Sequence, residues 1–398
     1  MALTGIEERV VAMIGAKQAD LVRDLELHVG LPTGCGNKPA VDETRERLCT
    51  RLRALGADVE LIPGIPSPDW LYGTSAARIP PPTAICRRAA SSGRRVLLSG
   101  HLDTVHDPHG VFRSLSIRPD GQVATGPGCV DMKGGLVIAL AALETLADAG
   151  VDVRWTVVLN SDEETGSYHS EAALRTAAGE ADIGFVFEPA LADGGLVIER
   201  PGSGQFFLEI KGRSAHVGRD FASGVSAVTA LATRIARVAQ LADPQNGRIV
   251  NIGPIDGGHA TNVVPDRARA WGNVRFASQE IARELEREVR AMQTDASALP
   301  SVRVQTSFNR PAKPCTPAVM QLAELARGVA NDLGQSLPFG KTGGVCDGNI
   351  LQDAGLPVLD TLGVRGGGLH TSEEWIELES LVDRCRLAAV TIMRASAS

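Results

Sequence analysis

The chain has 398 residues, 43% of them apolar and 22% charged, and a formal charge of −7 at pH 7. That length exceeds what one ordinary core accommodates, so two or three units are expected, and the composition excludes a disordered or fibrous chain. The negative charge and the absence of any long Lys/Arg run exclude a phosphate-tracking surface, and the short cluster Arg87, Arg88, Arg94 and Arg95 reads as a solvated loop.

Glu7, Glu8 and Arg9 interrupt the first apolar stretch, so no secretory core is read there, and no run approaches the roughly 20 apolar residues of a membrane span. A cytoplasmic protein without a membrane or nucleic-acid partner is expected. The cysteines, Cys35, Cys49, Cys86, Cys129, Cys315, Cys346 and Cys385, are odd in number and form no C-x-x-C pair, which disfavours a disulfide framework and a thiolate zinc site. Any metal must then be held by His and carboxylates.

In chain order, residues 96–100 read as a buried strand, and 155–159 as another. Between them Leu136, Leu140, Leu143 and Ala147 recur at helical spacing, with Ala149-Gly150 as a stop. A helix over 171–178 and a strand over 183–187 continue the alternation, so the first half is α/β. Beyond Pro201 the rhythm changes: strand 206–210, helix 225–241, strands 249–252 and 267–276, helix 280–292, strand 302–306. This order fits a small α+β, ferredoxin-like domain inserted in the chain. After the proline-rich stretch 311–317, helices over 319–333 and 378–393 bracket a strand over 358–362. The expected division is a split unit, 1–200 with 313–398, around an insert of 201–312.

The residues that carry chemistry stand where strands end. In Gly100-His101-Leu102-Asp103-Thr104-Val105 the spacing of two puts His101 and Asp103 on one face, which suits an imidazole ligand oriented by a carboxylate; alone, it is equally a polar strand end. Asp131 lies in Gly126-Pro127-Gly128-Cys129-Val130-Asp131-Met132-Lys133-Gly134-Gly135, a glycine-rich turn where it either caps the following helix or bridges two cations. Asp162-Glu163-Glu164 follows the strand 155–159, either as a solvated acidic turn or with one glutamate on metal and its neighbour moving a proton. Glu188 ends a further strand, and His370 follows a glycine-rich loop. Together these donors gather at the strand ends of an α/β unit and match two divalent cations sharing one carboxylate, with zinc first and cobalt or manganese admitted.

These segments in this order resemble the M20 family of metallopeptidases and deacylases, most closely its glutamate carboxypeptidase and acetylornithine deacetylase-like members, across about the whole chain. The resemblance implies a zinc-peptidase-like catalytic domain, a mixed central sheet flanked by helices, with the insert as dimerisation and lid domain. It also implies that Asp131 bridges two Zn²⁺, that His101 and Glu188 complete one site and Glu164 and His370 the other. Glu163 becomes the general base, Asp103 the residue that orients His101, and the peptide after Asp131 is expected to be cis. In the insert, His216 of Ser214-Ala215-His216-Val217-Gly218 matches a histidine that reaches across a homodimer to the oxyanion. Asn262 and Arg275 match substrate-binding residues, with Arg275 on the substrate carboxylate. The chain departs from the family at Val217, Arg219, Asp220 and Phe221 after that histidine, and at Val345-Cys346-Asp347-Gly348-Asn349.

The expected activity is cleavage of an amide bond in an N-acyl amino acid or small peptide with a free carboxylate, as in a carboxypeptidase. The competing readings are an N-acyl amino acid deacylase, desuccinylase or aminopeptidase on the same centre, a two-metal phosphoesterase, and a non-catalytic metal-dependent binding protein. The histidines His28, His106, His109, His169 and His259 read as surface or satisfied core positions, and Cys129 and Cys346 as small packing residues.

Overall fold

The structure, a computed structural model, describes residues 2–34, 36–73, 79–90 and 92–397. Cys35 lies outside the described residues.

Six strands form the central sheet in the order Asp58–Ile62, Thr83–Arg88, Trp155–Asn160, Val96–His101, Ile183–Val186, Val358–Leu359. The last four run parallel, while the first two join antiparallel, so the sheet is mixed. Strand side chains alternate between faces. Val96, Leu98, Val157 and Leu159 accordingly enter the large core beneath the helices Gly134–Asp148, Pro317–Asp332 and Glu379–Ala397. Leu97, Val158 and Ile85 enter a smaller core under the helices Glu171–Gly179 and Asp347–Asp353. Burial on both faces explains why these strands read as unbroken apolar runs.

A second sheet of four strands, in the order Arg248–Gly257, Arg267–Phe276, Gly202–Lys211, Ser301–Arg310, is antiparallel throughout. With the helices Ala227–Ala239 and Gln279–Arg290 it makes the βαββαβ, ferredoxin-like arrangement. Phe206, Leu208, Ala270, Val274 and Phe276 pack with the helices in a core of their own. A Cβ on Gly272 would lie 2.0 Å from the Phe206 ring, so glycine there lets that ring lie against the neighbouring strand. On the opposite face Phe207 and Trp271 sit 5.0 Å apart, and Tyr72 meets Trp271 edge-on at 5.4 Å. Trp271 Nε1 also donates to the carbonyl of Trp70 at 2.6 Å. Two of the chain's four tryptophans are thus spent fixing the loop after Asp58–Ile62 against the insert's open face.

Three sequence expectations need correction. The strand expected over 358–362 ends at Leu359, because the Asp360 carboxylate is taken by Arg200 and Thr361 adopts φ 61°. The helix expected from 225 starts at Ala227, since Val225 bridges antiparallel to Arg213. Of the cluster Arg87, Arg88, Arg94 and Arg95, the first two are no solvated loop, since they end a strand with ion pairs to Glu60, Glu180 and Asp152, whereas Arg94 and Arg95 do lie in the loop before Val96–His101, Arg94 exposed and Arg95 paired with Asp182.

Candidate metal centre

The parallel strands deliver their C-terminal ends to one place. His101 is the last residue of its strand, Glu163 and Glu164 follow Trp155–Asn160, and Glu188 follows Ile183–Val186. His370 arrives from the C-terminal loop in the left-handed region, φ 64°. Asp131 lies between the two imidazoles: His101 Nε2 is 3.2 Å from its Oδ1, and His370 Nε2 is 3.4 Å from its Oδ2. Glu188 Oε1 stands 3.9 Å from His101 Nε2, and Glu164 Oε2 stands 3.4 Å from His370 Nε2. Donor atoms of His101, Asp131 and Glu164 all fall within 4.8 Å of one another. Asp131 does not cap the helix that follows, and its peptide bond to Met132 is cis.

Electrostatics shows what this cluster lacks. Burial, then the Asp131 charge, pushes Glu164 up to about 10, and the same causes in the same order raise Glu188 well above the carboxylate range. Burial also acts to raise Asp131, but hydrogen bonds from His101 and His370 overcome it and hold that carboxyl low. Two buried carboxylates, Asp131 and Glu188, and the half-buried Glu164 therefore share two imidazoles, and the Glu164 Oε1 atom is itself buried without a hydrogen-bond partner. Carboxylate and imidazole donors with an excess of negative charge and an orphaned buried oxygen fit divalent cations.

The surroundings fix each donor. His101 Nδ1 donates to the backbone carbonyl of Asp103 at 2.9 Å, which leaves Nε2 facing Asp131, while the Asp103 carboxylate is 3.6 Å from the same nitrogen. That carboxylate accepts the backbone amides of Glu163 at 3.2 Å and Glu164 at 3.0 Å, so Asp103 positions the acidic turn as well as the imidazole. Glu163 is held from the insert: its Oε1 is 2.7 Å from Arg310 Nη1, and Arg310 also donates to the Glu163 carbonyl and to Ser167 Oγ.

Two contributors escaped the sequence reading. Arg310 ends the return strand of the insert, and only the neighbouring Pro311 marked the place. Glu374 is fully buried beneath the Asp131 turn, its Oε1 accepting from the amides of Val130 and Asp131 and its Oε2 from the amide of Gly128 and from His106. Gly128, at φ 70°, gives the turn the conformation that aims these amides at one carboxylate.

The insert residues stand elsewhere. His216 and Asn262 are exposed neighbours, with His216 opposite Val263 in a two-strand ladder and the Val217 amide donating to the Asn262 carbonyl at 3.0 Å. Among the described residues neither makes a hydrogen bond or ion pair with the cluster. Arg275 is half-buried, hydrogen-bonded to Ser203 Oγ, and Ser203 pairs with Arg275 on one side and Arg310 on the other. Burial, then the charge of Arg310, lowers its pKa.

The expectation for the remaining histidines holds for some only. His109 and His259 are exposed and His106 is paired with Glu374, but His28 and His169 are buried with Nδ1 unpartnered, neither surface nor satisfied. Cys129 and Cys346 are both buried as expected, and each also donates its thiol, Cys129 to the Glu374 carbonyl at 3.6 Å and Cys346 to Asp360 at 3.2 Å.

The model of the peptidase family M20/M25/M40 matches residues 97–394. Carboxypeptidase G2 from Pseudomonas sp. (strain RS-16) is 27% identical over 386 residues, covering 95% of this chain and 89% of that protein. Succinyl-diaminopimelate desuccinylase from Methylorubrum populi is 30% identical over 332 residues, 76% of this chain and 82% of that protein. The solved structure of the YXEP protein of Bacillus subtilis, described as a dinuclear metal-binding peptidase, shares the fold with a TM-score of 0.68 at 14% identity, covering 96% of this chain and 99% of that one. The chain therefore belongs to the M20/M25/M40 peptidase family, and is a hydrolase of that family.

Proposed function

We propose that the protein hydrolyses the amide bond of an N-acyl amino acid or small peptide whose amino-acid half carries a free carboxylate. The observation that carries this is Asp131, whose two oxygens face two different imidazoles, each with a further carboxylate close by. His101 and Glu188 would hold one divalent cation and Glu164 and His370 a second, with Asp131 shared. Zinc suits these donors, and cobalt or manganese is admitted by the same set. When bound, the cations polarise the scissile carbonyl and lower the pKa of water.

Glu163, whose neighbour Glu164 faces the cluster, takes the proton of the attacking water and returns it to the leaving amine. Arg310 holds Glu163 at one carboxylate oxygen and leaves the other to do this. Arg275, with no carboxylate partner among the described residues, receives the substrate carboxylate in the guanidinium fork. The centre serves N-acyl amino acid deacylation equally well, which the desuccinylase relatives favour; the fragments released identify which.

The unit 201–312 is read as lid and dimerisation domain, with 1–200 and 313–398 as the catalytic unit. Exposed Ile249 and Ile255 on its edge strand, and exposed Val217, Phe221 and Val263 around His216, support a homodimer in which His216 and Asn262 serve the partner's site. A cytoplasmic setting is supported by the described cysteines, all of them free, even Cys49 and Cys86 with sulfurs 3.8 Å apart. No described helix is long and apolar enough to cross a membrane.

The test is elemental analysis of the purified protein, coupled to hydrolysis of N-acyl amino acids and dipeptides with and without chelator. Close to two metal ions per chain and chelator-sensitive release of one amino acid are expected. Protein that binds no metal in any preparation would overturn the reading.

A further inference from the structure

The chain enters the insert and returns from it through two neighbouring antiparallel strands. Arg200 and Lys313 exchange backbone hydrogen bonds, each amide 3.0 Å from the other's carbonyl, and Ser203 pairs with Arg310. Between these two rungs stand Pro201 and Pro311, which have no N–H to give, so the ladder is interrupted where the chain crosses. The proline carbonyls still need donors.

One side chain supplies both. Asn349 Nδ2 donates to the Pro201 carbonyl at 2.9 Å and to the Pro311 carbonyl at 2.7 Å, while its Oδ1 accepts the amide of Cys346 at 3.0 Å. A carboxamide nitrogen carries two N–H donors, and Asn349 spends one on each crossing. The residue is fully buried, so water does not compete for these bonds.

The helix that carries Asn349, Asp347–Asp353, is anchored on the acidic turn as well. Asp347 accepts from Ser167 Oγ at 2.5 Å and from Asn160 Nδ2 at 2.8 Å, and Asn160 ends the strand that leads into Asp162-Glu163-Glu164. One short helix thus holds both sides of the contact between Arg310 and Glu163, the turn through Asp347 and the neighbour of Arg310 through Asn349. The buried pair of Arg200 with Asp360 fixes the outgoing strand separately. The returning strand, which carries Arg310, therefore depends on Asn349 the more.

We propose that Asn349 is a positioning residue: by pinning both crossings to the helix that also holds the acidic turn, it keeps Arg310 on Glu163. Its effect on rate rests on the hydrolytic reading above, whereas the pinning does not. Among the described residues Asn349 makes no hydrogen bond to a metal donor, so its loss should leave the metal centre intact.

Asn349→Asp keeps an oxygen for the Cys346 amide but turns an acceptor, in place of the nitrogen, toward two carbonyls. Asn349→Leu, of similar size, removes the bonds without adding charge. Hydrogen exchange in the metal-loaded protein reads the pinning. Both variants should lose protection at the amides of Arg200 and Lys313, while the amides of the central sheet and the metal content by elemental analysis stay as in wild type. On the fastest N-acyl amino acid of the panel above, kcat should fall on the order of 10- to 10²-fold. General loosening would also slow turnover, so a double-variant cycle decides. With Arg310→Lys already present, Asn349→Asp should cost little more, because it acts through Arg310. Additive losses, protection unchanged in both variants, or protection lost with the full rate kept would each overturn the proposal. Exchange needs no turnover, so a failure of the hydrolytic reading leaves the pinning to be decided on its own.

Discussion

The metal donors and the insert's three site residues are held in opposite ways. Of the five metal-facing residues, His101, Asp131, Glu164 and Glu188 are buried, or nearly so, at the ends of packed strands and turns, where Glu374 holds the amide of Asp131 and Asp103 that of Glu164, while the fifth, His370, is exposed on its loop and faces Asp131 and Glu164. His216 and Asn262 are exposed on a short ladder, and Arg275 faces the open side of the second sheet, hydrogen-bonded to Ser203 and to no other side chain among the described residues. The first group is complete within one chain. The second, on the function proposed above, serves a substrate or a second copy, and substitutions should separate the two.

The largest effect is expected at the boundary between them, where Arg310 of the insert holds Glu163 of the acidic turn. Glu163→Gln keeps a hydrogen-bonding oxygen for Arg310 but removes the base. Turnover should fall on the order of 10²- to 10⁴-fold, with metal content by elemental analysis unchanged. An undiminished rate would remove Glu163 from this role.

Second in size is His216→Ala, expected to lower turnover on the order of 10²- to 10³-fold if the imidazole stabilises an oxyanion in the partner's site. Mixing this variant with Glu163→Gln then forms dimers in which one site regains both groups, so two nearly inactive proteins should recover measurable activity together. A fully active monomer in sedimentation, or no recovery on mixing under conditions of subunit exchange, breaks the contrast between the two regions.

The same contrast explains what the sequence could disclose. Donors carried at strand ends come with local signatures, a strand pattern followed by His-x-Asp, a glycine-rich turn around Asp131, or three consecutive acids, so the parallel strands and their cluster were legible, while the antiparallel strands Asp58–Ile62 and Thr83–Arg88 were not read. The ferredoxin-like insert was legible from its order of strands and helices. Arg310 was not, because its role arises only when the insert's return strand meets a turn 147 residues earlier in the chain. His169 was misjudged for a related reason: nothing local shows that a residue beside Tyr168 will be buried with a ring nitrogen unmatched. The strand at Val358–Leu359 was overextended because Asp360, apolar neighbours notwithstanding, is drawn off by Arg200.

Glu374 tests the self-sufficiency of the metal region. Its carboxylate gathers three amides of the Asp131 turn, so it acts on the metals through backbone geometry. Glu374→Gln retains the shape but replaces one accepting oxygen with a donor that faces N–H groups. Metal affinity, read by competition with a chromogenic chelator, should weaken roughly 10- to 100-fold. Unchanged affinity would show that the turn keeps its form without this support.

The smallest effect is expected at Arg275, and it should appear in KM. In the row Arg275, Ser203, Arg310, the Arg310 guanidinium is taken by Glu163, with Asp347 3.9 Å away, whereas Arg275 has no carboxylate partner among the described residues. The uncommitted guanidinium is a place for an anion, and lysine cannot reproduce its planar fork. Arg275→Lys should raise KM about tenfold, the cost of about one charge-assisted hydrogen bond, while kcat changes little, because the lost contact lies on the carboxylate and not at the scissile carbonyl. A substrate whose carboxylate is replaced by a carboxamide supplies the control. Wild type should lose most of its advantage over the variant on that substrate, and an equal loss on both would mean that Arg275 holds the sheet through Ser203 and reads no carboxylate.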